Sequence, residues 1–152
     1  MVMWQLGQLG LDEKFCWQAQ PRWWGAPVDL MMVNKKVIIQ ADGSSHFKAI
    51  HDGKLGKQQH DDVRLCVTAV SKGVSVVRVH AEQLATGKRP QYLAAAIQFA
   101  AASTCVVLSC GYNTVTWYDH NKVCTFAQHL ADMLPGFRVC TATYRNIVIC
   151  KQ

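Results

Sequence analysis

No apolar run in this sequence reaches the roughly 18 residues that a membrane-spanning helix needs; the longest extend about ten residues, as from Tyr92 to Ala102 with Gln98 inside. A membrane partner is therefore not expected. Charge is sparse, with 17% charged residues against 50% hydrophobic ones, a balance that excludes a disordered chain and demands a buried core. Repeats, low-complexity segments and arginine-rich patches are absent. The opening stretch MVMWQLGQLGLDEK lacks a basic start followed by an apolar run, so no secretory signal is expected. Cys105, Cys110, His120 and Cys124 offer a structural zinc site as an alternative, but no CxxC pair occurs among the seven cysteines and the spacing fits no common zinc module. Most of the cysteines lie in apolar runs such as CVVLSC and IVIC, where thiols act as small core residues. An intracellular, reducing compartment is the expected home.

What is present fits one domain. A chain of 152 residues supports a single core. Net charge is +6 and the pI is near 9.0. A basic domain favours polyanions, since binding releases counterions from a phosphate backbone. The alternative is a solvated basic surface.

Residues 1–14 read as a short helix or an arm, and FCWQAQPRWW (15–24) as a strand or bent segment. PVDLMMV (27–33) and KVIIQA (36–41) flank Asn34-Lys35, which predicts a β-hairpin with a tight turn. Residues 42–57 read as a loop. Val63, Cys66, Val67 and Val70 recur at helical spacing, which predicts an amphipathic helix over 58–72 stopped by Gly73. VSVVRV (74–79) is then a buried strand. Strand, strand, helix, strand is the order of an α/β core, assigned to 15–86. Gly87 to Pro90 marks an internal boundary. Beyond it, 90–152 reads as an α/β elaboration of the same domain. It comprises a helix from Pro90 to Ala102, a strand at 105–109, a short strand at 115–118, a helix at 122–134, and a closing strand pair at 137–143 and 146–150.

The informative segment runs from Pro27 to Leu84. It contains PVD, then QADGSSHF, then HDDVRLCVTAVSKG, then VSVVRVHAEQL. This order resembles the very-short-patch-repair (Vsr) and DUF559 branch of the restriction-endonuclease-like superfamily. There an aspartate opens a hairpin whose second strand ends in E-x-D-G-x-x-H, followed by an acidic helix, a glycine and a strand reading V-V-R. About 58 of the 152 residues carry the resemblance. The RNA-associated RAP domain shares much of it. The resemblance implies a PD-(D/E)xK-type mixed sheet flanked by helices, and DNA cleavage with Mg2+ or Mn2+.

The residue chemistry points to the same place on its own terms. Hydrolysing a phosphodiester calls for a hard cation that polarises phosphate and acidifies water. Magnesium takes oxygen ligands, often one or two carboxylates with waters and phosphate. Asp29 lies in an otherwise apolar segment, where an unpaired carboxylate is costly; an aspartate at a strand's exposed start is the alternative. Gln40 and Asp42 share a face of the partner strand. The resemblance implies that Gln40 occupies a glutamate position, where an amide offers oxygen without charge. In the Vsr branch a backbone carbonyl serves instead, which makes Ala41 and Asp42 candidates. Gly43 permits a sharp exit toward His46, whose imidazole can move a proton near neutral pH; it can equally be a loop histidine.

Asp62, eleven residues before Gly73, can orient His46 or a metal-bound water, with Asp61 as its rival and a dipole-favoured helix aspartate as the alternative. Arg22, Lys57 and Arg64 are candidates for phosphate contact, against the solvated-charge reading. Arg78, in a buried-type strand, calls for a carboxylate or phosphate partner, and His80 ends that strand. Trp4, Trp17, Trp23 and Trp24 can stack on bases near Arg22 or pack into the core. The sites expected to carry catalysis are thus Asp29, Asp42, His46 and Asp62. Metal is expected at Asp29, Gln40, Ala41 and Asp42. The expected function is a magnesium-dependent endonuclease acting on DNA. Its rival is a cleavage-inactive module that binds RNA, or a part of a larger assembly.

Overall fold

A computed structural model describes residues 15–32, 34, 36–42, 55–80, 90–109, 120–140 and 146–152. These form one α/β layer structure: a mixed sheet with helices on both faces. In chain order the elements are β1 (Phe15–Trp17), β2 (Leu30–Met32), β3 (Val37–Asp42), α1 (Lys57–Ser71), β4 (Ser75–His80), α2 (Pro90–Ala102), β5 (Cys105–Ser109), α3 (His120–Asp132), β6 (Phe137–Cys140) and β7 (Asn146–Lys151). Across the sheet the strands run β1-β2-β3-β4-β5-β7-β6. β2 is antiparallel to both β1 and β3, the strands β3, β4 and β5 are parallel, and β7 runs antiparallel to both β5 and β6.

The apolar alternation divides the core in two. Ile38, Val76, Val106, Leu108 and Ile149 face α1 and α3. Val37, Ile39, Val77, Val79, Val107 and Val148 face α2. β3, β4 and β5 advance in one direction while α1 and α2 cover opposite faces. Two such crossovers must have opposite hands, so one is the uncommon left-handed kind. The charged residues of β3 and β4 all fall on the α1 face.

Several boundaries shift from the sequence expectation. Met32 faces Val37, so four residues join β2 to β3 rather than a two-residue turn, and Lys36 takes φ +52° to enter β3. β2 begins at Leu30, which leaves Asp29 just before the ladder rather than within it. α1 starts one residue earlier than expected because Gly56 caps it, with the Gln59 side chain accepting the Gly56 N–H at 3.1 Å. It also ends one residue earlier, at Ser71 with Lys72 as its cap, while the stop at Gly73 is as expected. Gly73 takes φ +74°, its N–H donates to the carbonyl of Val70, and the Val74 N–H donates to that of Ala69. That double closure satisfies the last carbonyls and needs a residue free to adopt left-handed backbone. α2 and β5 have the expected limits. The arm at 1–14 and the strand at 115–118 lie outside the described residues.

In the tail α3 spans His120–Asp132 rather than the expected 122–134, residues 141–143 of the expected strand lie outside the described residues, and a cysteine differs in its state. Cys150, at the end of the run IVIC, is bonded to Cys140 rather than standing as a free core thiol. The two strands are neighbours, with Arg138 opposite Cys150 and Cys140 opposite Val148, and the two Cα atoms are 6.4 Å apart. Cys66 and Cys105 are buried free thiols, as expected, and Cys124 is exposed. Among the described residues no helix is long and apolar enough to cross a membrane.

Candidate active site

The strand directions bring the expected residues to one edge of the sheet. β3 and β4 end there, at Asp42 and His80, and the antiparallel β2 begins there. The register continues from Leu30 opposite Ile39 to Asp29 opposite Gln40. Opposed residues of an antiparallel pair share a face, so Asp29 and Gln40 belong with Met31 and Ile38 on the α1 face. Asp42 follows on that face, roughly 6–7 Å further along β3.

Asp29 and Gln40 clamp the strand end to each other. The Asp29 N–H donates to Gln40 Oε1 at 2.7 Å, and the Ala41 N–H donates to Asp29 Oδ2 at 2.8 Å. Both side chains thereby replace ladder bonds where β2 has already left the sheet. The Gln40 oxygen expected at a metal is spent on this backbone bond. Asp29 is half-buried, and its Oδ1 has no hydrogen bond among the described residues. The N–H and carbonyl of one strand residue point to the same side, so the Ala41 carbonyl faces the gap that Asp29 occupies.

One strand across on the same face, where Arg78 of β4 lies beside Gln40, is a buried ion cluster. Arg78 is fully buried, and Asp42 and Asp62 are 1% and 7% exposed. Arg78 Nε donates to Asp42 Oδ2 at 2.9 Å, and Nη2 donates to Asp42 Oδ1 at 2.6 Å. The same Nη2 lies 2.9 Å from Asp62 Oδ1. Two carboxylates beside it hold Arg78 well above its ordinary range against the cost of burial. The Phe126 ring of α3 covers the guanidinium, with Cζ 5.9 Å from its centroid. Both Asp42 oxygens therefore serve Arg78, and the partner that Arg78 required is carboxylate, not phosphate. Of the two helix aspartates, Asp62 turns inward and Asp61 is exposed; the inward one reaches Arg78. His80 is buried at the end of β4, opposite Asp42.

Cys66 lies one helical turn after Asp62 on α1 and is fully buried. Burial pushes its thiol up to about 11, with Arg78 pulling the other way. A raised acid pKa in the folded state adds stability that is complete below the unfolded value near 9 and is lost as pH rises through about 11. The wild type should therefore lose about 2–3 kcal/mol more than Cys66→Ala between pH 9 and pH 11 in paired urea titrations. Equal losses would show that the thiolate is not excluded.

The basic candidates separate by exposure. Arg22, Lys57 and Arg64 are exposed, whereas Arg78 is not. Trp23 and Trp24 are half-buried and pack against the α1-face core. Arg64 lies over Trp24 at cation–π distance, with Cζ 5.6 Å from the ring centroid. His46 and Trp4 lie outside the described residues, and so does Cys110 of the zinc alternative. Among the described residues no group of three or more His, Cys, Asp or Glu could hold a metal. Sequence reasoning called for a carboxylate or phosphate at Arg78 but did not name Asp42 and Asp62 as its partners, because the mutual register of β3, β4 and α1 was unknown; it missed the Arg64–Trp24 contact.

No family model, curated protein or solved structure matches the chain.

Proposed function

We propose that the chain is a metal-dependent endonuclease that hydrolyses DNA phosphodiester bonds on a restriction-endonuclease-like core, with 90–152 as an α/β extension of the same domain. The observation that carries this reading is the bond from the Ala41 N–H to Asp29 Oδ2. It brings an open carboxylate oxygen and a backbone carbonyl to one half-buried strand end. One carboxylate and one carbonyl, completed by water and substrate phosphate, suit Mg2+ or Mn2+, which keep much of their hydration. Asp29 Oδ1 and the Ala41 carbonyl would hold the ion, which when bound supplies phosphate polarisation and a more acidic water.

The remaining residues divide by role. Asp42 and Asp62 fix Arg78, and that lock stiffens the end of β3 from which Ala41 projects. His46 follows Asp42 by four residues, a tether of at most ~14 Å, and would accept the proton of the attacking water. Arg22, Lys57 and Arg64 would neutralise the backbone. Purified protein should nick supercoiled plasmid with Mg2+ or Mn2+ and not with EDTA. Absence of any metal-dependent product would end the reading.

A second reading has its own support. Gln40 Oε1 is engaged by the Asp29 N–H, and Asp42 and Asp62 by Arg78, which leaves Asp29 as the one open carboxylate of the set. A cleavage-inactive, RAP-like module that binds RNA, alone or within a larger assembly, would carry the same fold. Retained RNA binding without metal-dependent cleavage would select it.

A further inference from the structure

The Arg64–Trp24 pair is not explained by metal chemistry. The connection from β1 to β2 leaves and re-enters the sheet at the edge that carries Asp29, with the Gln18 N–H donating to the Asp29 carbonyl. Within it, the Trp24 and Gly25 N–H groups both donate to the Pro21 carbonyl, and Gly25 takes φ +74°. This turn sets Trp24 on the α1-face core. Arg64, exposed on α1, lies over that ring. The guanidinium carbon is 5.6 Å from the ring centroid, within cation–π reach, while the residue stays exposed to solvent.

An exposed arginine ordinarily samples many rotamers. Drawn over an indole, its planar guanidinium samples fewer of them. Such a plane suits the face of an aromatic base while its N–H edge reaches phosphate. Base faces are covered by their neighbours in a duplex and open in a single strand. Arg22 in the same connection and Lys57 at the start of α1 are both exposed cations, and Asp61 is the exposed acid on that helix. The net charge of +6 favours a polyanion.

Resting on the reading of this edge as a nucleic-acid site, we propose that Arg64, laid on Trp24, is a stacking platform for an unpaired base of single-stranded nucleic acid, with Arg22 and Lys57 on the flanking phosphates. The substrate engaged beside Asp29 is then a single-stranded or locally opened segment.

Fluorescence anisotropy in EDTA tests this without reading cleavage. The probes are a labelled mixed-sequence single strand of about 20 nucleotides and the matching duplex. Wild type should bind the single strand about tenfold more tightly than the duplex. Arg64→Lys keeps the charge and loses the plane; it should weaken single-strand binding about five- to tenfold with the salt dependence unchanged. Arg64→Ala should weaken it further and reduce the salt slope by about 0.7. Both substitutions are at an exposed position, and a thermal melt matching wild type checks that the fold is intact. Wild-type affinity in Arg64→Lys, equal affinity for duplex, or binding of neither form overturns the proposal. Metal-dependent cleavage that survives any of those results would leave the nuclease reading standing, whereas intact stacking without cleavage would sink that reading alone.

Discussion

Replacing Arg78 with methionine is expected to cost about 3–5 kcal/mol, enough to lower the melting temperature by about 10 °C or to prevent folding. The size follows from what is left behind. Asp42 and Asp62 are 1% and 7% exposed, and both have oxygens on the guanidinium. Without Arg78, two like charges remain in a low-dielectric layer beneath Phe126 and lose the guanidinium they share. They must take up protons or the layer must open. Lysine at 78 should also fail, because one ammonium cannot reproduce the planar fork that grips Asp42 through Nε and Nη2 while reaching Asp62. Replacing the whole cluster, as Arg78→Met with Asp42→Leu and Asp62→Leu, should recover most of the loss, since well-packed apolar substitutes avoid the desolvation that the ions suffer. Chemical denaturation of the three variants decides the matter. A single substitution costing under about 1 kcal/mol would mean that the cluster contributes little to the fold.

Asp29→Ala is expected to reduce metal-dependent cleavage by at least about 100-fold, because removing the proposed metal ligand forfeits several kcal/mol of transition-state charge stabilisation. Asp29→Asn makes the sharper comparison. An asparagine oxygen can still accept the Ala41 N–H, so the clamp between β2 and β3 persists and stability should stay within about 1 kcal/mol of wild type. The negative charge is gone, and activity should fall as far as in the alanine variant. Nicking rates and urea midpoints measured side by side separate the two roles. An Asp29→Asn enzyme that cuts at the wild-type rate would reduce Asp29 to a strand-end fastener.

Local features were legible in the sequence where they depend on neighbours along the chain. Gly73 stops α1 because only left-handed backbone closes that helix end. The alternation in KVIIQA and VSVVRV marks strands because side chains reverse with each residue. The role of Asp42 was not legible. An aspartate before a glycine after an apolar strand reads equally as metal ligand or ion-pair partner. The difference lies in the parallel register that sets Gln40 beside Arg78 and Asp42 beside His80. Likewise, Asp61 and Asp62 differ by about 100° on the helix, and the orientation of α1 against the sheet chose between them. The Arg64–Trp24 contact joins residues 40 positions apart on elements that no periodicity relates. Cys150 reads as a core thiol because it ends an apolar run, whereas its place beside Cys140 depends on the cross-strand register of β6 and β7.

A Mn2+ titration followed in backbone amide spectra of the 15N-labelled protein tests the proposed metal site at Asp29 most directly, since bound manganese broadens the signals nearest to it. The amides of Leu30, Ala41 and Asp42 should broaden first, and Asp29→Asn should abolish the effect. Broadening centred on another part of the sheet, or undiminished in Asp29→Asn, would contradict a metal held at this strand end.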